Sequence, residues 1–419
     1  MSIDKLTIII PTINRSTMLD RTLSYYMKAG IYSKIILADS SNKSLKAKNK
    51  NLVSKYSTHL DIEYFHVSEE TDVGDKIFVA CEMVKTPYVL MIGDDDFVLK
   101  SSASKIIRGL ENDKELAAGY GQRLGIAALS QSTKGTRWMS LFPWYDMQII
   151  NKDPLDRIRH IPVPSWQQYP YAIFRTHVMK KAYQVTNGFK STQYIDFFIN
   201  ATILFHGKWK KFDCLFTVCN ADSSYYTLRD RSSFPYYWGK KGNIISQTMS
   251  QPFWSEYVIK LSKNVVDLLP KSDSDDLARE IRDIYYAINN RYIEHHYIFS
   301  RSLFNSNQWL SLKINTFIVR LTRILYIFLL PDKNGGVSSY WVFFRGLLKE
   351  TVTLRLFKNL YNQDKSNKIK NLLISIRRTG TLDYELVNLL SPSSAYYKEF
   401  SLIFKVWKSN PTPKVYTNK

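Results

Sequence analysis

Over the first hundred residues short apolar runs alternate with segments whose apolar residues recur at helical spacing. Leu6 to Ile10 is a β-branched run stopped by Pro11, which predicts a buried strand. Thr12 to Ala29 has helical spacing, with Met18, Leu19, Leu23 and Tyr26 on one face. Ile35 to Ala38 predicts a second strand ending at Asp39-Ser40-Ser41, followed by a Lys-rich helix. A strand over 62–65, a helix over 74–84 and a buried strand over Tyr88 to Ile92 complete the pattern. This alternation implies a mostly parallel, helix-covered α/β sheet, which binds ligands beyond the carboxyl ends of its strands. Pro11-Thr12, Asp39-Ser40 and Gly93-Asp94-Asp95-Asp96 all fall at such ends. Residues 120–230 mix strand-like and helical pieces, and from about Tyr236 the pattern is mainly helical, with a turn over Asp332 to Ser339.

The length of 419 residues suggests two or three domains at ~150 residues each. The division expected is a sheet domain over 1–230 and a basic, aromatic-rich helical domain over 231–419. Charge sharpens that division. The chain carries +21, and residues 231–419 hold 28 basic against 14 acidic residues, a net +14. Such an excess points to an anionic partner, either nucleic acid or lipid headgroups. No zinc-finger spacing or RNA-binding signature accompanies it, so no nucleic acid is expected. In the segment Trp309 to Leu330, Lys313, Thr316, Arg320 and Arg323 line one face of an otherwise apolar helix, as in a helix lying at a membrane interface. Packing of the same helix into a domain core is the plainer alternative. The segment Tyr340 to Lys358 has a similar mix. No apolar run approaches the ~18–20 residues of a membrane span, and no secretion signal is read at the N-terminus. Three cysteines without framework spacing suit a reducing compartment. The expected location is therefore cytoplasmic, peripheral on the cytoplasmic face of the inner membrane.

Three consecutive aspartates after an apolar strand repel one another unless a cation or a donor network compensates them. A turn that caps the next helix is the plain explanation. The chemical one is a divalent-metal site, Mn²⁺ or Mg²⁺, in which hard oxygen ligands clamp an ion that neutralises a diphosphate. Gly93 would let the backbone approach such a ligand. Gly-Asp-Asp also marks some RNA polymerases, but there it lies in a hairpin of a much larger palm, not at a parallel strand end.

The series Ile8 to Arg15, Ile36 to Ser41 and Tyr88 to Asp96, in that order and spacing, resembles the family 2 glycosyltransferases of the GT-A fold. The resemblance extends more weakly to about residue 230. It implies a nucleotide-sugar donor, with UDP the commonest nucleotide, and a saccharide or lipid-linked acceptor. It also implies a setting in surface polysaccharide or lipopolysaccharide assembly. Pro11, Thr12, Asn14 and Arg15 would form the loop under the nucleotide, and Asp39 would bind the base. Asp94 and Asp95 would contact the nucleotide sugar, and Asp94, Asp95 and Asp96 would hold the metal. The family usually separates two of these aspartates by one residue; here the run is unbroken. Lys76 would reach the phosphates, with an ordinary solvated lysine as the alternative. Asp196, after Gly188-Phe189, matches the family's general base for an inverting transfer, although Ile195 stands where a Glu is usual. A helix-start aspartate is the plain alternative for Asp196. Arg229 is a weaker candidate for the departing diphosphate. A fold that has lost its chemistry and tethers partners to a membrane remains the rival.

Overall fold

The computed structural model describes residues 3–132, 135–143, 148–161, 171–187, 192–220, 279–280, 283–284 and 392–409. The alternation expected of the first hundred residues is present. Strands β1 (Leu6–Thr12), β2 (Lys34–Asp39), β3 (Ile62–His66) and β4 (Tyr88–Met91) are joined by helices α1 (Ser16–Ala29), α2 (Lys43–Tyr56) and α3 (Val73–Met83). These strands pair in parallel in the order β3-β2-β1-β4. Because helices cover both faces of such a sheet, β1 reads as a continuous apolar run, and Leu6, Ile8, Ile9 and Ile10 are fully buried.

After β4 come β5 (Phe97–Val98), α4 (Lys100–Asn112), the long β6 (Leu116–Ser132), β7 (Gly135–Pro143), α5 (Pro154–Arg159) and β8 (Ile173–Arg175). Then α6 (Thr176–Thr186), α7 (Thr192–His206) and β9 (Lys208–Asn220) follow. Strand β8 runs antiparallel to both β4 and β6 and so joins the parallel half to a second half in the order β8-β6-β9-β5. The sheet is therefore mixed, not purely parallel. Strand β1 has β2 on one side and β4 on the other, so chain direction through the sheet reverses there. Open α/β sheets bind ligands in the crevice at that point, beyond the carboxyl ends of the strands.

The local reasons are ordinary ones. Gly30 takes a left-handed conformation (φ 65°) just past α1, and the amide of Ile31 closes on the Tyr26 carbonyl at 2.9 Å, ending the helix in a Schellman turn. Asn42 caps α2 through Leu45 N at 3.0 Å, and Asp72 caps α3 through Gly74 N at 2.8 Å.

One further helix comes from far along the chain. Helix α8 (Tyr397–Ser409) packs against α1, and Phe400, Ile403, Val406 and Trp407 are buried in the same core as β1 and β4. The other helices expected after residue 236, including Trp309 to Leu330 and Tyr340 to Lys358, lie outside the described residues. Among the described residues no helix is long and apolar enough to cross a membrane.

His206 closes α7, where a helix dipole would favour its cation. Burial wins instead, helped by Lys181, His177 and Arg157, and lowers its pKa to about 4. The unfolded chain, with an ordinary pKa near ~6.5, takes up the proton first as the pH falls. Stability is expected to drop between pH 6.5 and 4 and to level off below, by about 1–2 kcal/mol since the ring is part-exposed. Urea unfolding of wild type and His206→Asn at pH 7 and pH 4.5 checks this, the variant losing that much less stability on acidification.

Candidate active site

The polar strand ends meet as expected. The aspartates do not cap α4, whose N-cap is Leu99 and whose first turn holds no acidic residue. They are instead buried to within 3% of full exclusion from solvent and held by donors from several elements. Thr12 at the end of β1 donates its hydroxyl to Asp94 Oδ2 at 2.6 Å, and Thr22 on α1 donates to the Asp94 carbonyl at 2.7 Å. Arg15 reaches both neighbours: Nη1 lies 3.3 Å from Asp94 Oδ1, and Nη2 donates to Asp95 Oδ2. Asn220, the last residue of β9, donates its amide to Asp96 Oδ1 at 2.7 Å and its side chain to Asp95 Oδ2 at 3.3 Å. The Tyr171 hydroxyl donates to Asp96 Oδ2. The Arg123 guanidinium lies over the Tyr171 ring, 3.7 Å from its centroid.

Burial raises the Asp94 carboxyl above the usual range, against the pull of Arg15. Burial, together with the charge of Asp95, raises Asp96 as well. Three carboxylates in one dry place are held there at a cost. Gly93 is what lets them close up. A Cβ at Gly93 would stand 2.9 Å from Asp96 Oδ2 and 3.2 Å from Asp95 Oδ1, so both oxygens fold back over its bare Cα.

The loop after β1 is shaped by Asn14, which adopts a positive φ of 54°, a conformation Asn tolerates better than most residues. Its amide donates to Ser41 Oγ at 2.8 Å, its Oδ1 accepts from Asn42 N at 2.9 Å, and its Nδ2 donates to Glu69 at 2.8 Å. Pro11 is part-exposed beside it. Asp39 is buried and engaged at both oxygens: Ser41 N at 2.7 Å on Oδ1, Asn49 Nδ2 at 3.0 Å and the Tyr64 hydroxyl at 2.9 Å on Oδ2. Lys76 is not a solvated lysine. It is 3% exposed, and its ammonium ties Thr12 O at 3.0 Å to Ser40 Oγ at 2.9 Å. It therefore fastens the ends of β1 and β2 together beneath the crevice. Asp196 lies in the second turn of α7, beyond the first-turn positions that a helix dipole favours, and its side chain is outside the described residues. Arg229 is outside them altogether.

Sequence reasoning passed over Asn220, Tyr171 and Arg123. Each belongs to a stretch with no motif, and only the pairing of β5 with β9 brings Asn220 to the aspartates.

Among the described residues no group of three or more His, Cys, Asp or Glu side chains is arranged around a metal position. The donor set nevertheless suits a hard divalent cation in kind, being carboxylate oxygens only, buried and crowded. In this arrangement the Arg15 guanidinium supplies the positive charge between Asp94 and Asp95.

A crossover sheet with buried carboxylates at its switch point is an α/β domain of the GT-A type. Residues 7–176 match the model of glycosyl transferase family 2. The structure is similar to that of S. aureus TarS 1-349, at 14% identity over 70% of this chain and 92% of that one, with a TM-score of 0.41. TarS 1-349 in complex with UDP-GlcNAc gives a TM-score of 0.40 over the same shares and at the same 14% identity. The mannosyltransferase PcManGT from Pyrobaculum calidifontis, in complex with GDP-Man and Mn2+, matches at 10% identity over 76% of this chain and 80% of that one, with a TM-score of 0.38. At such scores these likenesses say nothing of this chain's own donor. No curated protein matches the sequence significantly.

Proposed function

We propose that the chain transfers a sugar from a nucleotide-sugar donor to a saccharide or lipid-linked saccharide acceptor, with the donor diphosphate held at Asp94, Asp95 and Asp96. The observation that carries this reading is the burial of all three carboxylates at the sheet's switch point. Their crowding costs stability that the donors around them only partly offset, which is what a binding site retained for its chemistry looks like.

Asp94 and Asp96, with Asp95 close behind, would hold the metal of a metal-dependent donor site. A bound Mn²⁺ or Mg²⁺ supplies positive charge to the leaving diphosphate. Arg15 is the residue such an ion would meet first, since it already pairs with Asp94 and Asp95. Thr12 and Asn220 keep the carboxylates oriented through their hydrogen bonds. Lys76 holds the floor of the crevice. Asp39 and the Asn14 loop are the residues set to receive the nucleoside. Asp196 would take the proton from the acceptor hydroxyl, making the transfer inverting, and Arg229 would face the diphosphate.

The division at about residue 230 belongs to this proposal too, α8 excepted because it joins the core of the sheet domain, with the rest of the basic C-terminal half lying on an anionic membrane surface at the cytoplasmic face of the inner membrane. That half carries a net +14, and each Lys or Arg near such a surface adds ~1 kcal/mol of attraction. A lipid-linked acceptor in surface polysaccharide or lipopolysaccharide assembly would be met there.

Calorimetric titration of UDP, GDP, CDP, CMP and TDP, each with and without Mn²⁺, tests the donor site. Tight binding of one nucleotide only with metal is the expected result. No binding of any nucleotide by folded protein with metal present would replace the transferase with a membrane tether built on the same fold.

A further inference from the structure

Helix α8 lies about 180 residues beyond the end of β9, yet it packs beneath the segment that carries the aspartates. The residue that follows Asp96 is Phe97, buried and clasped on several sides. Tyr25 meets its ring edge-on at 5.1 Å between centroids, and Trp407 of α8 lies 5.8 Å from it. Arg21, fully buried on α1, places its guanidinium 4.3 Å from the Trp407 ring centroid and 5.9 Å from that of Phe97. Thr22 and Tyr25 on the same helix hold the backbone on either side, through Asp94 O at 2.7 Å and Val98 O at 3.0 Å. The aspartate segment thus rests on a platform with two parts, α1 and α8.

The second part is anchored independently. Glu399 accepts from Ser101 Oγ at 2.6 Å and from Ser101 N at 3.4 Å, and so caps α4, which has no side-chain cap of its own. The Tyr396 hydroxyl accepts from Leu215 N at 3.1 Å, on the strand that pairs with β5. A buried guanidinium keeps its place only if neighbours repay its lost hydration, and an indole face does so better than any other ring.

We infer that Trp407 is a positioning residue for the donor site, acting through Arg21 and Phe97 to hold Asp94, Asp95 and Asp96 in register. The C-terminal part of the chain thereby completes the platform under the diphosphate. The link to catalysis rests on the proposed transferase reading, whereas the positioning of the segment does not. Burial lowers the Arg21 pKa to about 10, against the pull of Asp95, Asp96 and Asp94, which leaves it charged at neutral pH beneath the aspartates.

The test uses the full chain as wild type, Trp407→Leu, Trp407→Phe and Ile403→Val. Ile403 is buried on the same helix and serves as the control for simple loss of packing. Hydrogen exchange of the Asp96 to Leu99 amides is read first, because it needs no ligand. Trp407→Leu is expected to speed it about tenfold beyond the change in the β1 amides, with Trp407→Phe restoring most of the protection and Ile403→Val leaving the ratio unchanged. Affinity for UDP with Mn²⁺, or for the nucleotide of the panel that wild type binds, should fall by a similar factor in Trp407→Leu only. Uniform loosening of both segments in Trp407→Leu, matching that in Ile403→Val, would overturn the inference. So would selective loosening with undiminished nucleotide affinity. If wild type binds no nucleotide, the transferase reading falls and the exchange ratio alone decides whether Trp407 positions the segment.

Discussion

Asp95→Asn is expected to lower turnover by about 10²–10³ and to abolish metal-dependent nucleotide binding, while the protein stays folded. The substitution keeps the shape of the side chain and removes only its charge. What it removes locally is the Arg15 ion pair and the carboxylate acceptor for Asn220 Nδ2 at 3.3 Å. What it relieves is the crowding of Asp95 against Asp94 and Asp96, whose carboxyls are raised by burial and whose neighbour is a charge of the same sign. These two changes oppose each other in stability, so the melting temperature should move by no more than ~4 °C. In function they do not oppose each other, because a neutral amide oxygen lacks the charge that makes a carboxylate the stronger ligand for a hard divalent ion. Donor hydrolysis or transfer measured at saturating Mn²⁺, beside a thermal melt, reads both. Turnover within threefold of wild type would remove Asp95 from the donor site. A collapse of the melt together with the activity would show that the carboxylate serves the fold instead.

The parts of this site that were legible in the sequence are those written in consecutive residues. Strand β4 and the three aspartates announce themselves, because an all-apolar run that leads into acids has few explanations in a helix-covered sheet. The first turn of α1 was less legible: helical spacing from Thr12 hides the fact that Thr12 belongs to β1 and that Asn14 turns through a positive φ before the helix begins at Ser16. The sequence offers Lys76 as a phosphate cation or a solvated lysine, yet its helix face is informative. Gly74, Ile77, Ala80 and Cys81 are the other buried residues of that helix, so a lysine among them had to find buried acceptors. Asn220, Tyr171, Arg21 and Trp407 left no local signal. They reach the aspartates, or in the case of Trp407 the adjoining Phe97, through strand pairing and helix packing between positions more than 70 residues apart, which spacing along the chain does not encode.

A chain stopped after residue 391 should fail to fold cooperatively, although it retains every motif of the donor site. Helix α8 buries Phe400, Ile403, Val406 and Trp407 in the core shared with the sheet. At about 1.5–3 kcal/mol for each large apolar side chain, their loss is on the order of the whole stability of a typical domain, about 5–15 kcal/mol. The apolar surface of α1 left behind would be exposed, and Arg21 would keep its burial while losing the ring that faces it. The start of α4 would lose Glu399 as well. Circular dichroism melts check this, and the expected trace is a broad, shallow transition or an insoluble product. Adding the segment 392–419 as a separate peptide should restore a sharp transition, because the buried contacts of α8 are the same whether or not the chain is continuous. A sharp melt within ~3 °C of wild type without the peptide would mean that α8 is dispensable for the fold. In that event the platform under the aspartates would be built by α1 alone, and the wide separation between α8 and the sheet in sequence would reflect an independent unit.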